Sequence, residues 1–288
     1  MGAGERAAPA PLPDLTLDPI IRAALAEDLG RAGDITAQAC IPPDARLTAA
    51  YVARGQGVVA GLACARLALH ALDPQATFTL KAADGDAVGP GRVLAIIDAN
   101  ARAALSAERV GLNLLGRLSG VATLTASYVA RTKGTHARII DTRKTTPLLR
   151  SLEKYAVRCG GGANHRFGLD DAILIKDNHV AACGGVGAAL QRVREHAGHM
   201  VKIEVEVDSL AQLAEALEHR PDVIMLDNFT LDDLKSAVAL AAGRVTLEAS
   251  GGVNLDTVAA IARTGVDYIS VGALTHSAPN FDIGLDAI

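Results

Sequence analysis

The chain has 288 residues, of which 50% are hydrophobic and 21% charged, so it can build a full core and lacks the composition of a disordered protein. Its formal net charge of −4, without any Lys/Arg run, argues against nucleic acid or a membrane surface as a partner. No apolar run approaches the roughly 18 residues of a membrane span, and four separated cysteines without a CxxC pair indicate reduced thiols of a soluble cytoplasmic protein.

The first part of the chain has the pattern of a small α+β domain. Residues 1–14 are rich in Ala and Pro, lack the apolar segment of a signal peptide, and are predicted to form a mobile tail. A helix is expected over 19–29. Short strands are expected over 47–53, 77–82 and 93–98, because apolar and β-branched runs there are separated by Gly-rich and Pro-rich turns.

A long helical pattern follows over residues 101–132, with apolar residues along one side. Gly111, Gly116 and Gly120 interrupt this pattern. Glycine lowers helix stability, so the segment is either two helices or one helix that packs tightly against a neighbour.

The second half of the chain alternates short strands with helices. The strand candidates are 137–141, 172–176, 201–207, 223–227, 244–249 and 268–271. The intervening helix candidates include 210–218, 231–242 and 255–264. Such alternation predicts a parallel sheet, which is either doubly wound or rolled into a barrel.

One strand favours the barrel. Residues 202–207 alternate charged and apolar side chains, whereas strands covered on both faces are usually apolar throughout. A charged face suits the mouth of a barrel, where Glu206 would lie nearer the carboxyl end and Glu204 deeper as a structural partner. A complete barrel takes about 250 residues, so we predict an incomplete, open α/β barrel.

Charged residues recur where the predicted strands end. The cationic ones are Arg143, Lys144, His165, Arg166 and Lys176, and the acidic ones are Glu206, Asp227 and Glu248. Carboxylates opposite a polyphosphate indicate a bridging Mg²⁺, while arginines suit a substrate with its own carboxylates. Ser-Gly-Gly at 250–252 and Val-Gly-Ala at 271–273 end the last two strands, and such glycine-containing loops form the phosphate sites of barrel enzymes.

At these residues the chain resembles the quinolinate phosphoribosyltransferase family. The most specific segments are Asp-Thr-Arg-Lys-Thr-Thr-Pro at 141–147, Gly-Gly-Ala-Asn-His-Arg at 161–166 and Ile-Lys-Asp-Asn-His at 175–179. The other matching segments are 27–30, 33–36, 108–113, 118–120, 204–208, 226–228, 248–252 and 271–276. One departure is Leu148, which follows Pro147 where the family pattern leads us to expect Gly.

The resemblance implies a two-domain α/β fold. An N-terminal α/β sandwich would cover residues 15–118 and be rejoined by about 278–288, and an open α/β barrel carrying the active site would cover 119–277. The resemblance also implies a homodimer with shared active sites, or a higher oligomer built from it.

The implied activity is phosphoribosyl transfer from phosphoribosyl pyrophosphate to quinolinate, with Mg²⁺ as cofactor. The products would be nicotinate mononucleotide, pyrophosphate and CO₂, a step of NAD biosynthesis. A ring nitrogen attacks the ribose carbon without needing a base, so we expect catalysis by positioning and charge stabilisation, with no protein nucleophile.

The resemblance also assigns roles to individual residues. Arg109 would reach quinolinate across the dimer interface, and its two carboxylates would be held by Arg143, His165 and Arg166. The residues expected to act in catalysis, around the ribose and its phosphates, are Lys144, Lys176, Glu206 and Asp227. Of these, Glu206 and Asp227 would take Mg²⁺, directly or through water or substrate. The 5′-phosphate end would be lined by Ser250, Gly251, Gly252, Gly272 and His276.

Three alternatives stay open at this point. A related phosphoribosyltransferase could use nicotinate or a pyrimidine, although the number of cations favours a diacid. A barrel lyase or aldolase could use Lys176 or Lys144 as a Schiff-base nucleophile. A phosphate-binding scaffold could have lost its activity.

Overall fold

The computed structural model describes residues 9–288. Positions 1–8 of the predicted tail lie outside the described residues, and its last residue, Asp14, already begins a helix. The chain divides into two compact units. The first contains the chain up to Ala126 together with Thr145–Gly161 and Thr275–Ile288, and the second contains Ser127–Lys144 and Gly162–Leu274.

Helices and strands are numbered in chain order. The helices are α1 (Asp14–Leu29), α2 (Ile35–Cys40), α3 (Leu62–Leu72), α4 (Ala101–Arg131), α5 (Arg150–Cys159), α6 (Asp177–Cys183), α7 (Val186–His196), α8 (Leu210–Glu218), α9 (Leu231–Ala241), α10 (Val258–Ala262) and α11 (Ala273–His276). The strands are β1 (Arg46–Ala53), β2 (Gly57–Val58), β3 (Thr77–Leu80), β4 (Ala87–Val88), β5 (Val93–Asn100), β6 (Arg138–Ile140), β7 (Ile173–Ile175), β8 (Ile203–Val207), β9 (Val223–Asp227), β10 (Thr246–Ser250), β11 (Tyr268–Ser270) and β12 (Ile283–Ala287). None of the helices within residues 9–288 is long and apolar enough to cross a membrane.

The first unit is built on a four-stranded antiparallel sheet with the order β12-β1-β5-β3. The last strand of the chain, β12, pairs with β1 from Ala49 opposite Ala287 to Ala53 opposite Ile283. The end of the chain therefore returns to the N-terminal sheet, as the resemblance implied. Tyr51 and other fully buried residues of β1 and β5 join α3 in one apolar core.

The helix α4 is continuous, which decides between the two interpretations of its glycines. A Cβ atom on Gly120 would lie 2.0 Å from the carbonyl oxygen of Pro279, and one on Gly116 would lie 2.9 Å from that of Phe281. Larger side chains would therefore collide with the backbone of the C-terminal segment. The glycines permit close packing of this segment on α4 rather than breaking the helix.

The helix α5 groups with the first unit, although residues 119–277 were predicted to form one barrel domain. The hydroxyl of Tyr155 donates to Asp84 at 2.8 Å. The buried carboxylate of Glu153 lies 2.8 Å from the guanidinium of Arg117. These polar contacts join α5 to α4 and to the turn before β4, so the helix packs with elements that precede it by tens of residues.

The second unit contains a six-stranded parallel sheet with the order β6-β11-β10-β9-β8-β7. In the part of the chain that the structure describes, no strand pairs with both β6 and β7, so the barrel is open, as predicted. Parallel pairing sets Asp227 opposite Ser250 and Glu206 opposite Met225. This register collects the polar strand ends at one edge of the sheet.

The predicted elements of the second half agree with the structure, with most boundaries shifted by one to three residues. Strand 223–227 and helix 210–218 have the predicted bounds. The helix predicted over 255–264 is shorter and covers Val258–Ala262. In the first half, α1 starts five residues before the predicted position 19, with Asp14 paired to Arg66 at 2.8 Å.

Candidate active site

A cavity of about 610 Å³ lies at the carboxyl ends of the strands of the second unit. Its lining contains most of the predicted site residues, namely Arg143, Lys144, His165, Arg166, Lys176, Glu206, Asp227, Ser250, Gly251 and Gly252. Three predicted residues are not part of this lining. Arg109 is exposed on α4, Gly272 follows β11, and His276 is exposed at the end of α11.

The cationic side of the cavity contains two arginines, Arg143 and Arg166, whose charges lie close enough to affect each other. Nη1 of Arg166 donates to the carbonyl oxygen of Ala172 at 3.0 Å, while its Nε is buried without a hydrogen-bond partner within residues 9–288. Burial lowers the pKa of the Arg166 guanidinium and the nearby charge of Arg143 lowers it further, while the carboxylates of Glu204 and Asp171 act in the opposite direction. A pair of close cations with an unsatisfied donor is stabilised by an anionic ligand, and guanidinium groups match carboxylates in shape.

A buried aspartate holds the loop that carries His165 and Arg166. Asp141, at the end of β6, is completely buried. Its carboxylate accepts the backbone N–H of His165 at 2.9 Å and the side-chain amide of Asn164 at 2.6 Å. The backbones of Ile140 and Ala163 also form an isolated parallel β-bridge, which joins the loop to β6. These contacts therefore fix the loop to strand β6 of the sheet.

The imidazole of His165 bonds to protein groups through both ring nitrogens. Nδ1 accepts the backbone N–H of Arg166 at 2.7 Å, so this nitrogen carries no proton. The ring proton therefore resides on Nε2, which lies 3.0 Å from Oε2 of Glu204 and 3.5 Å from Oε2 of Glu248. His165 lines the cavity, and its expected contact with a substrate carboxylate stays a prediction.

The carboxyl groups of Glu204 and Glu248 form a buried pair beneath this ring. Each has one oxygen that is buried without a partner among the described residues. Burial raises the pKa of Glu248 to about 8, and the neighbouring Glu204 carboxylate contributes to the rise. Two close, buried carboxyl groups favour retention of a proton. Glu248 lies in the cavity lining, as its place among the polar strand ends predicted, and its raised pKa distinguishes it from the other acidic residues there.

Two further carboxylates, those of Glu206 and Asp227, line the cavity. Oε2 of Glu206 lies 2.8 Å from Nζ of Lys176. Oδ2 of Asp227 accepts the side-chain amide of Asn228 at 2.7 Å. Their strands β8 and β9 are adjacent, so the two carboxylates lie at neighbouring strand ends.

The donor atoms fit Mg²⁺ at Glu206 and Asp227 better than at the buried cluster. Mg²⁺ prefers carboxylate oxygens and retained waters, and both of these groups line a cavity with room for water. The three groups His165, Glu204 and Glu248 also offer ligand atoms within 4.8 Å of one another. There, however, the imidazole nitrogen that would bind a metal holds the proton that it shares with Glu204.

Asn228 joins two strand ends and was quoted only as part of a motif in the sequence. Its backbone adopts a left-handed conformation with φ of 57°. Its backbone N–H donates to the carbonyl oxygen of Ser250 at 2.9 Å. A Cβ on Gly251, whose φ is +93°, would lie 2.1 Å from Oδ1 of Asn228. The loop after β10 can therefore lie against Asn228 only because residue 251 has no side chain.

Comparisons with known proteins agree with this geometry. Family models match residues 34–119 as the quinolinate phosphoribosyl transferase N-terminal domain and residues 121–286 as its C-terminal domain. The nicotinate-nucleotide pyrophosphorylase [carboxylating] of Mycobacterium leprae (strain TN) is 48% identical over 271 residues, which cover 92% of this chain and 95% of that protein. The quinolinate phosphoribosyltransferase [decarboxylating] 2a, mitochondrial, of Nicotiana tabacum is 41% identical, covering 95% of this chain and 82% of that protein.

Solved structures extend the similarity to the fold. The nicotinate-nucleotide pyrophosphorylase from Francisella tularensis aligns with a TM-score of 0.92 at 38% identity, covering 96% of this chain and 98% of that one. NadC from Streptococcus pyogenes aligns with a TM-score of 0.93 at 40% identity, covering 97% and 99% of the two chains. Sequence, domain models and fold agree along nearly the whole length, and the chain belongs to the quinolinate phosphoribosyltransferase family.

Proposed function

We propose that the protein transfers the phosphoribosyl group of phosphoribosyl pyrophosphate to quinolinate, with loss of one carboxyl group as CO₂. The observation that carries this proposal is the division of the cavity into two sides. Arg143 and Arg166 lie close together at the cavity, and Nε of Arg166 is buried without a hydrogen-bond partner among the described residues, while Glu206 and Asp227 present carboxylates at neighbouring strand ends. A diacid acceptor matches the first side, and a ribose carbon that becomes positively charged matches the second.

The transfer step needs orientation and charge more than proton transfer. The lone pair of the pyridine nitrogen forms a bond to ribose C1 while the bond from C1 to pyrophosphate breaks, and pyrophosphate keeps that electron pair. Positive charge develops at C1 in the transition state, as in other reactions at glycosidic carbons. Carboxylates of Glu206 and Asp227 would stabilise this charge, and the ammonium groups of Lys144 and Lys176 would offset the charge of the phosphates.

Mg²⁺ would be held by Glu206 and Asp227 and would supply charge neutralisation for the leaving pyrophosphate. Both carboxylates have one oxygen bonded to a protein donor. The other oxygen of each is therefore the one that a metal-bound water or the metal itself would approach.

Decarboxylation follows from the charge on the product of transfer. Once its nitrogen is bonded to ribose, the pyridinium ring accepts the electron pair of the bond between C2 and its carboxylate. CO₂ departs and C2 then takes a proton from water, giving nicotinate mononucleotide. A cavity that keeps Arg143 and Arg166 against the two carboxylates would hold the ring in position for both steps.

The remaining predicted residues enter the proposal through a second copy of the chain. We propose a homodimer in which Arg109, exposed on α4, reaches the cavity of the partner. Gly272 and His276, which follow β11, would complete the 5′-phosphate end. The proposed compartment is the cytoplasm, because all four cysteines are free thiols, which suits reducing conditions.

The direct test supplies purified protein with quinolinate, phosphoribosyl pyrophosphate and Mg²⁺, and separates the products by chromatography. We expect nicotinate mononucleotide from quinolinate, none from nicotinate in a parallel reaction, and loss of product when a chelator removes the metal. Product from nicotinate, or a borohydride-trapped adduct on Lys144 or Lys176, would instead support the alternative enzymes. Absence of turnover with either acceptor in a folded protein would contradict the proposal.

A further inference from the structure

We propose that Glu204 is a positioning residue for the acceptor substrate: it binds Nε2–H of His165 and thereby holds this ring so that Nδ1 fixes the backbone of Arg166. The proposal rests on the proposed function, because it assigns Arg166 to the acceptor carboxylates. Glu204 itself is buried and does not line the cavity, so it would act only through its neighbour.

The contacts form a continuous chain from the sheet to the cavity. Oε2 of Glu204 lies 3.0 Å from Nε2 of His165, and Nδ1 of the same ring accepts the N–H of Arg166 at 2.7 Å. An imidazole whose Nδ1 accepts a hydrogen bond carries its proton on Nε2, and an acceptor opposite Nε2 stabilises that tautomer. Glu204 is the nearer of two such acceptors, since Oε2 of Glu248 lies 3.5 Å from the same nitrogen. Removing Glu204 would leave Nε2 with only the longer contact to Glu248, so the ring could rotate or change tautomer and the Arg166 backbone would lose its partner.

A second anchor shows why the effect should be local. Asp141 holds the backbone N–H of His165 at 2.9 Å and thus fixes the loop from the other side. The loop would therefore stay in place without Glu204. Only the orientation of the His165 imidazole and the position of the Arg166 guanidinium would change. When a group that positions one part of a substrate is displaced slightly, binding of that part weakens more than binding of the parts that the group does not contact.

The buried position of the two carboxyl groups supports a specific role. Burial of Glu204 and Glu248 beside each other is unfavourable, and apolar residues of similar volume commonly replace buried polar groups without loss of stability. Neither group has all of its oxygens hydrogen-bonded in the described structure. We therefore infer that Glu204 serves to orient His165 rather than to stabilise the fold.

The experiment compares Glu204→Met, which removes the acceptor, with Glu204→Gln, which keeps a carbonyl oxygen for His165 and places an amide beside Glu248. Glu218→Met, an exposed residue at the end of α8, controls for the Glu to Met change. Steady-state kinetics would give KM for quinolinate and for phosphoribosyl pyrophosphate separately. Ring-nitrogen chemical shifts would report the tautomer of His165, assigned by the signal lost in His165→Asn.

We expect Glu204→Met to raise KM for quinolinate at least tenfold, with KM for phosphoribosyl pyrophosphate changed less than twofold. Glu204→Gln should stay within threefold of the wild type for both substrates. The wild-type ring should show the Nε2–H tautomer, and Glu204→Met should lose it. These results would support a positioning role, because a general structural defect would raise both KM values together and would not be rescued by Gln.

Equal effects of Glu204→Met on both KM values, or an Nδ1–H ring in the wild type, would overturn the proposal. The wild-type tautomer is measurable even if Glu204→Met does not fold, so the test does not depend on one variant. If the wild type shows no turnover of quinolinate, the proposed function fails. The tautomer of His165 in Glu204→Gln and Glu204→Met then still decides whether Glu204 orients the ring.

Discussion

Three glutamates of one parallel sheet have different chemical roles because their neighbours differ. Glu206 faces the cavity and pairs with Lys176 at 2.8 Å. Glu204 lies two residues earlier on the same face, deeper in the sheet, and faces His165 instead. Glu248 is almost completely buried and has a raised pKa. The sequence alternation predicted which glutamate lies nearer the mouth, whereas the protonation of Glu248 depends on burial that only the folded chain defines.

The raised pKa of Glu248 predicts a stability that falls as pH rises. Between the ordinary pKa of a glutamate and pH 8, the folded protein keeps the proton that the unfolded chain has lost. The free energy of unfolding should therefore decrease through this window, by an amount on the order of 3 kcal/mol. The side chain of Gln does not titrate. The free energy of unfolding of Glu248→Gln should therefore fall less between pH 5 and pH 8 than that of the wild type.

Urea denaturation at both pH values measures this difference. Glu218→Gln, at an exposed position, serves as the control for background titration. The groups facing Glu248 are Glu204, His165 and Ser270, all unchanged in the variant. Parallel pH profiles for the wild type and Glu248→Gln would contradict the assignment.

Leu148 occupies a backbone conformation that favours glycine. Its φ is 68° and its side chain is 89% exposed. A left-handed conformation costs a non-glycine residue about 1–2 kcal/mol, and glycine adopts it freely, although it adds entropy to the unfolded chain. We expect Leu148→Gly to raise the free energy of unfolding by about 0.5 kcal/mol.

Replacement of leucine by glycine should instead lower the free energy of unfolding at a helical position. Leu105 is partly exposed on α4, and Leu105→Gly should lower the free energy of unfolding by about 1 kcal/mol. Thermal or urea unfolding of both variants gives the comparison. A loss of stability in Leu148→Gly as large as that in Leu105→Gly would argue against strain at residue 148.

At the scale of elements, periodicity predicted most strands of the second unit and the polar interior of the open barrel. The alternation at 202–207 was informative because Glu204 and Glu206 do lie on one face, toward polar groups. Short elements were less predictable. Helix α6 has only seven residues, and its first turn is capped by the side chain of His179, which accepts the N–H of Lys176 at 2.9 Å. Such local polar contacts leave no periodic pattern.

The junction between β9 and β10 predicts a strong effect of one methyl group. In Gly251→Ala the new Cβ would lie 2.1 Å from Oδ1 of Asn228 and 2.9 Å from its backbone nitrogen, in a backbone conformation that already disfavours alanine. Asn228 would have to move, and the carboxylate of Asp227 would lose its amide donor. We expect about 2 kcal/mol of destabilisation and at least a tenfold loss in kcat/KM for phosphoribosyl pyrophosphate.

Gly243→Ala provides the matched control for this change. Gly243 also has a positive φ, of 72°, but no atom of residues 9–288 lies within 4 Å of the position that its new methyl group would take. The residue follows α9 outside the cavity lining. Its variant should lose about 1 kcal/mol of stability from backbone strain alone and keep its kcat/KM. Equal kinetic effects in both variants would show that contact with Asn228 is not the cause.

At the scale of the whole molecule, the sequence predicted two α/β units and the return of the C-terminus, but not the discontinuous course of the chain between them. Residues 145–161 leave the second unit and group with the first, because Tyr155 and Glu153 find their partners there. Such long-range pairing has no local signal. The strand and helix pattern predicted the open barrel and the resemblance implied the return of the C-terminus, whereas residue-level contacts were needed to locate this segment.

The proposed sharing of active sites predicts complementation between two defective chains. Arg109→Ala and Lys176→Ala should each be nearly inactive as homodimers, since one lacks the arginine supplied to the partner and the other lacks a cavity residue. In a heterodimer, the cavity of the Arg109→Ala chain would receive Arg109 from the Lys176→Ala chain and be complete. The other cavity would carry both defects, so the heterodimer should have about half the wild-type activity.

Co-expression with two different affinity tags and sequential purification would isolate this heterodimer. Arg109 acting within its own chain would leave both cavities defective and the heterodimer inactive, which would overturn the sharing. A wild-type heterodimer with the same two tags controls for purification losses, and size-exclusion chromatography with light scattering verifies the mass of a dimer. Recovered activity would then assign Arg109 to the cavity of the partner, because no other arrangement of the two defects leaves one intact site.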